Sequence, residues 1–359
     1  MTTRRGVLKI SGGALLAAAT AGVGATEFAS ASGVPSSDID PMSLVDPELR
    51  PMALEIEKNS AQFPSLSDET LPSIRAKIES LMLPPLPDVS YAKQQIPGSA
   101  GSPDVTVYIL NAKPGTSRPG IVFLHGGGFV FGSALSALRD AQVVAAQLDC
   151  CVAVVDYRLA PETRFGGSIA DNYTVLVWLH THASELGVDP ARIAIMGESA
   201  GGGHAALLAI TARDRGEVPV AFQVLIYPML DDRTGSSRQM PNHIGALVWR
   251  ADANRYGWRS FLGQAPGKRI APAGAVPARI ADLTGLAPAF IGVGTLDLFV
   301  SEDIDYARRL VEAGVPTELL VVPGAFHGFD HNATAAVSKR FNEGKLDALR
   351  RAFGAPSRS

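Results

Sequence analysis

Between residues 104 and 353, short apolar runs alternate with longer amphipathic segments. This rhythm constrains the fold more than any other feature of the chain. The runs fall at residues 104–110, 120–124, 152–156, 193–196, 220–227, 289–293 and 318–322, each bounded by turn-forming residues. The first alternates polar and apolar residues, which predicts a partly exposed strand. The others are nearly continuous in apolar residues, as parallel strands covered on both faces are. Between them, residues 135–148, 168–186, 200–213, 302–313 and 338–353 repeat apolar residues at helical spacing. The expected class is therefore α/β, a doubly wound, mostly parallel central sheet with helices on both faces.

Two segments stand outside this rhythm. Residues 32–90 are proline-rich and hold helical stretches at 47–60 and 67–82, without a strand of the later kind. They read as an N-terminal helical cap segment. Residues 231–281 contain no convincing strand and hold Trp249, Tyr256, Trp258 and Phe261. They follow the strand that comes after the central glycine-rich turn, on the side where strand C-termini face ligand. We read them as a cap insertion that divides the core into residues 91–230 and 282–359. The four aromatics are expected to pack the cap on the body rather than line a pocket. With 359 residues, 46% of them hydrophobic, the chain can bury a large core. A net charge of −3 points to neither a nucleic-acid nor an anionic-membrane partner.

The first 31 residues read as an export signal. Arg4-Arg5 precedes Leu8-Lys9, an alanine- and glycine-rich apolar run covers residues 10–23, and Ala29-Ser30-Ala31 fits a cleavage site. The arginine pair resembles a twin-arginine signal. A membrane anchor needs about 20 strongly apolar residues, more than this diluted run supplies. The expected product is an exported protein, periplasmic or secreted, that begins at Ser32 and has no stable membrane insertion. Its two cysteines, Cys150 and Cys151, are adjacent at the start of a strand. Strand neighbours point to opposite faces, so two buried free thiols are expected rather than a bridge.

The chemistry centres on Gly197-Glu198-Ser199-Ala200-Gly201, between the run at 193–196 and a helix. A G-x-S-x-G stretch in that context reads as a tight turn presenting a nucleophilic serine. Serine needs a base to take its proton, and the base needs an acid to fix its tautomer. Asp297 follows the run at 289–293, and His327 follows the run at 318–322, so both sit past strand C-termini. Upstream, His125-Gly126-Gly127-Gly128 supplies bare backbone at the end of another strand. Gly127 and Gly128, with the amide of Ala200, are the expected donors to an oxyanion. Gly126 is read as serving the turn and His125 as bracing the loop.

Each of these residues has rivals in the chain. Among seven histidines, His180 and His182 lie on a helix, His204 packs behind the turn, and His243 lies in the cap, leaving His331 as the rival to His327. Glu302, Asp303 and Asp305 rival Asp297, but they open a helix, where carboxylates complement the dipole. Gly201-Gly202-Gly203-His204-Ala205-Ala206 matches a dinucleotide fingerprint, yet no acidic residue ends the next strand at the required distance. Close helix packing explains those glycines. No cluster with metal-ligand spacing is visible.

Five motifs together resemble the bacterial hormone-sensitive-lipase-like esterases. They are His125-Gly126-Gly127-Gly128-Phe129, Asp156-Tyr157-Arg158-Leu159-Ala160-Pro161-Glu162, Gly197-Glu198-Ser199-Ala200-Gly201-Gly202, Tyr227-Pro228-Met229-Leu230-Asp231 and His327-Gly328-Phe329. Two departures stand out: Glu198 where aspartate is commoner, and Leu298-Phe299-Val300 where some members read Pro-Leu-Arg. The resemblance implies an α/β-hydrolase body under a two-part helical cap. It implies a cofactor-free serine carboxylesterase for short- to medium-chain esters, with Ser199, Asp297 and His327 as triad and Gly127, Gly128 and Ala200 as oxyanion hole. Arg158 and Glu162 are expected to form a buried structural pair. The partner this resemblance implies is a small ester; the arginine pair at the N-terminus adds, transiently, the twin-arginine export machinery. A lactone, carbamate or amide hydrolase would use the same triad. A non-catalytic binder is the remaining alternative: the plant gibberellin receptors are similar but lack the catalytic histidine, which His327 supplies here.

Overall fold

The computed structural model describes residues 39–60, 63–99 and 101–354. The expected signal segment, residues 1–31, lies outside them. Three helices open the described chain: α1 (Pro41–Leu44), α2 (Arg50–Ser60) and α3 (Leu71–Ser80). Eight strands follow: β1 (Tyr91–Ile96), β2 (Val105–Leu110), β3 (Arg118–Leu124), β4 (Cys151–Asp156), β5 (Val188–Glu198), β6 (Phe222–Ile226), β7 (Ala289–Gly294) and β8 (Thr317–Val322). The remaining helices are α4 (Ala134–Leu148), α5 (Phe165–Thr181), α6 (Ala183–Leu186), α7 (Ala200–Arg215), α8 (Ala251–Leu262), α9 (Val300–Glu312) and α10 (Ala336–Ala352).

The strands form one sheet in the order β1-β2-β4-β3-β5-β6-β7-β8. β1 pairs antiparallel with β2, and β2 with β4; every later pair is parallel. The expected mostly parallel sheet is therefore observed, with one strand the sequence did not announce. β1 reads Tyr-Ala-Lys-Gln-Gln-Ile and is largely exposed at the sheet edge, so backbone pairing rather than apolar periodicity defines it.

Each face of the sheet carries its own core. One buries α4 and α10 residues such as Leu138 and Phe341 together with Leu49 and Ala53. The other buries α5, α7 and α9 residues such as Leu176, Ala206 and Leu310. Cys150 lies in the first core and Cys151 in the second, both free. Burial accordingly raises both thiol pKa values, that of Cys151 to about 11. A third apolar cluster joins α3, the Phe129–Phe131 loop and α8. Trp249, Tyr256, Trp258 and Phe261 are all buried in it, and Phe261 stacks on Phe129 with ring centroids 4.0 Å apart. Among the described residues, no helix is long and apolar enough to cross a membrane.

Candidate active site

The parallel strands all run the same way, so their C-terminal loops gather at one edge. Ser199 follows β5 directly, Asp297 lies three residues past β7, and His327 five past β8. The structure brings these three together. His327 Nδ1 is 2.7 Å from Asp297 Oδ2, and His327 Nε2 is 2.9 Å from Ser199 Oγ. A carboxylate only accepts, so the ring proton belongs on Nδ1 and Nε2 is left to accept from the serine hydroxyl. The second oxygen of Asp297 accepts the Phe299 amide at 2.9 Å, which fixes the carboxylate plane. The rings of Tyr227 and Phe299 flank the imidazole, with centroids 4.5 and 5.4 Å away.

Ser199 has φ 57° and ψ −123°, a conformation strained for a residue with a side chain. Its surroundings enforce it. The Ser199 amide donates to Ile226 O at the end of β6, and Ser199 O accepts from Gly203 and Met229. Gly201 and Gly203 let α7 start against the neighbouring backbone; a Cβ there would stand 2.1 Å from Leu124 O or 2.3 Å from Met229 O. Close packing thus accounts for the glycines that mimic a nucleotide fingerprint.

The glycine loop after β3 is equally constrained. Gly127 has φ 123°, and a Cβ would meet Phe131 O at 2.0 Å; Gly128 has φ 57°, and a Cβ would meet the Trp249 ring at 2.2 Å. Gly127 lines the same groove as Ser199 and His327, whereas Gly128 lies against Trp249 and Ala200 opens α7. His125 braces the loop: its Nδ1 is 2.7 Å from Gly126 O, and its ring stacks on Tyr157 at 4.1 Å. The Tyr157 hydroxyl donates back to His125 O at 2.6 Å. Arg75 of α3 donates to Val130 O and Ala160 O.

Arg158 and Glu162 do not pair with each other. Arg158 holds the buried Asp171 of α5 at 2.7 Å, and Glu162 holds Arg75 at 2.6 Å. Each charge instead pairs with a residue of a different helix, Asp171 of α5 and Arg75 of α3, which local spacing does not reveal. Glu302 and Asp303 also differ from expectation. They open α9 but are buried, and Glu302 Oε1 accepts the amides of Leu230 and Asp231. Burial raises both carboxyl pKa values well above the ordinary range, with neighbouring carboxylates adding to it. His204 is buried among Phe129, Tyr157 and Phe261, and burial lowers its pKa to about 3, which keeps it neutral. His331 sits beside Asp140, its Nδ1 3.9 Å from Asp140 Oδ2, away from the Ser199 hydroxyl that His327 meets.

A groove of about 450 Å³ opens over Ser199 and His327. Its apolar wall comes from Met52 and Ile56 of α2, Leu81 and Leu83 beyond α3, and Val144 of α4. None of the four cap aromatics lines it; Val248, just before them, does. Asp140, Glu198 and His331 also face the groove, with ligand atoms within 4.8 Å of one another. Although such a set could hold a cation, Lys345 already brings a positive charge 3.8 Å from Glu198.

A family model for the alpha/beta hydrolase fold matches residues 121–331. The chain belongs to that family, in its hormone-sensitive-lipase-like branch. Carboxylesterase NlhH of Mycobacterium tuberculosis is 35% identical over 78% of this chain and 89% of its own length. Esterase LipI of the same species is 32% identical over 79% of this chain and 88% of its own. Among solved structures, a bacterial heroin esterase superposes with TM-score 0.77 at 38% identity, covering 89% of this chain and 100% of that one.

For this α/β hydrolase, sequence reasoning missed Tyr227, Phe299, Asp330 and Lys345 around the candidate triad. Tyr227 opens the Tyr227-Pro228-Met229-Leu230-Asp231 motif, but nothing in its spacing shows that its ring meets His327. Lys345 reads as an ordinary surface residue of an amphipathic helix, and only the tertiary fold buries it.

Proposed function

We propose that this α/β hydrolase is a serine carboxylesterase acting on short- to medium-chain esters through an acyl-enzyme. The single observation that carries the reading is the unbroken relay from Asp297 through His327 to Ser199, with contacts of 2.7 and 2.9 Å. The relatives named as carboxylesterase and esterase support it. A groove of about 450 Å³ with one apolar wall suits a modest acyl chain.

In this mechanism, Ser199 Oγ attacks the ester carbonyl as His327 Nε2 takes its proton, and Asp297 stabilises the imidazolium. The carbonyl oxygen becomes an oxyanion that the amides of Gly127, Gly128 and Ala200 receive, each such donor worth roughly 3 kcal/mol of barrier. His327 then protonates the leaving alcohol. Water enters, gives a proton to His327 and attacks the acyl carbon; as the tetrahedral intermediate collapses, His327 returns that proton to the departing Ser199 Oγ and the acid is released.

Export belongs to the same proposal. Arg4-Arg5 and Ala29-Ser30-Ala31 support passage through twin-arginine machinery and maturation at Ser32. The decisive experiment for the hydrolase reading is a panel of p-nitrophenyl esters graded by acyl length, run on the mature chain and on Ser199→Ala. Turnover by the wild type that declines with long acyl chains and vanishes in the variant is expected. Near wild-type turnover in Ser199→Ala would end the assignment.

A further inference from the structure

Ser199 and His327 sit on loops of strands that are not neighbours. β6 and β7 lie between β5 and β8, and strands stand about 4.8 Å apart, so the loops leave the sheet roughly 14 Å from each other. Backbone hydrogen bonds hold Ser199 against the end of β6 and tie the loop after β7 to the loop after β8, but among the described residues none joins the Ser199 turn directly to the His327 loop. Something must hold the tips in register if a 2.9 Å contact is to persist.

One side chain reaches both loops. Lys345 of α10 is buried, and its Nζ stands 3.3 Å from Asp330 Oδ2 and 3.8 Å from Glu198 Oε1. Glu198 immediately precedes Ser199. Asp330 lies three residues after His327, and its other oxygen accepts the Tyr227 hydroxyl at 2.8 Å. The Tyr227 ring in turn lies 4.5 Å from that of His327. From these contacts we infer that Lys345 is a positioning residue, a buried cation that ties the nucleophile turn to the base loop through Glu198 and Asp330. This inference rests on the hydrolase reading above.

Two considerations favour this role over simple packing. A buried ion cluster is a poor way to gain stability, because desolvating its charges offsets most of their attraction. Its location therefore matters more than its energy, and this one spans the two loops whose separation sets the reaction geometry. Charge also supports it. Burial pulls the Lys345 pKa down, but Asp330, Glu198 and Asp140 outweigh it and hold the ammonium protonated. The other charged groups facing the cluster are Asp140 and His331, with Arg139, Lys339 and Glu343 further along the groove.

The test compares Lys345→Met and Lys345→Arg with the wild type on a p-nitrophenyl butyrate assay. A misplacement of about 1 Å costs on the order of 100-fold in rate, so Lys345→Met is expected to lose 10- to 100-fold in kcat, with KM changed less than about twofold. Lys345→Arg is expected to recover most of kcat, and the loss in Lys345→Met is expected to shrink when Glu198→Gln is already present. Should Lys345→Met fail to fold, Glu198→Gln and Asp330→Asn, which keep shape, are expected to give the same kcat-selective loss. Unchanged kcat in the folded variants, or a loss that Arg does not recover, overturns the inference. A fluorophosphonate probe separates the two readings. A wild type that is not labelled at Ser199 sinks the hydrolase assignment itself, whereas equal labelling rates in wild type and Lys345→Met sink only the role of Lys345.

Discussion

His327 Nε2 lies 2.9 Å from Ser199 Oγ although 128 residues separate them in the chain. The contact exists because β5 and β8 point the same way and end at the same edge of the sheet. A parallel α/β sheet converts sequence distance into spatial proximity at its C-terminal rim. The same geometry brings Asp297 to the far side of the imidazole.

Replacing Asp297 with Asn tests that arrangement more sharply than deleting it. Asn preserves size but presents an amide N–H to Nδ1, so the ring proton moves to Nε2, which then cannot accept from Ser199. Loss of kcat on the order of 10⁴-fold is expected, with folding retained by circular dichroism. An Asp297→Asn enzyme within tenfold of wild type would show that another group orients His327.

Much of this was legible in the sequence, and the reason is local. Apolar runs at 120–124 and 193–196 are buried on both faces, so their composition alone announced β3 and β5. The five motifs carry their chemistry in consecutive residues, and Ser199 and Asp297 each follow such a strand, whereas His327 follows the edge strand β8, whose apolar run is only partly covered. What escaped were features made by distant contacts. β1 has no apolar period because its edge position leaves it exposed. The pairing of Arg158 with Asp171, and of Glu162 with Arg75, depends on where α5 and α3 dock. Lys345 is chemically silent until α10 docks on the sheet and buries it.

Gly128→Ala should be poorly tolerated. At φ 57° an alanine is strained, and its Cβ would stand 2.2 Å from the Trp249 ring. Positive φ alone costs roughly 1–2 kcal/mol for a residue with Cβ, and Trp249 is buried with its indole N–H donating to Asn254, so it cannot step aside freely. The expected result is a lower Tm together with a large fall in kcat, since the loop carries the proposed oxyanion donors. Wild-type kcat with only the Tm lowered would remove Gly128 from the oxyanion hole.

The proposed export predicts a defined N-terminus. Protein recovered from outside the cytoplasm is expected to begin at Ser32 by N-terminal sequencing, after removal of the segment ending in Ala29-Ser30-Ala31. Changing Arg4 and Arg5 together to lysine is expected to strand the protein in the cytoplasm as the longer form. Exported chains that still begin at Met1 would exclude cleavage at this site.

Stability should fall as pH rises through neutrality, and Glu198 is the residue to change. Burial raises its carboxyl from the ordinary 4.5 to about 7, with Lys345 pulling the other way. Between those two values the folded protein holds a proton that the unfolded chain has released, so folding takes up a proton. The resulting stabilisation is complete below about pH 4.5 and is lost as the pH climbs through 7. Its size is at most about 3–4 kcal/mol, taking about 1.4 kcal/mol for each pH unit between the two values. Glu302 and Asp303, also raised, act in the same sense. Glu198→Gln removes only the first contribution. Urea denaturation at pH 5, 6, 7 and 8 should therefore find wild type and variant similar at the acid end, with the variant gaining relative to wild type at each step. Parallel curves across that range would mean that Glu198 titrates as it does in the unfolded chain, and that Lys345 rather than burial governs its charge.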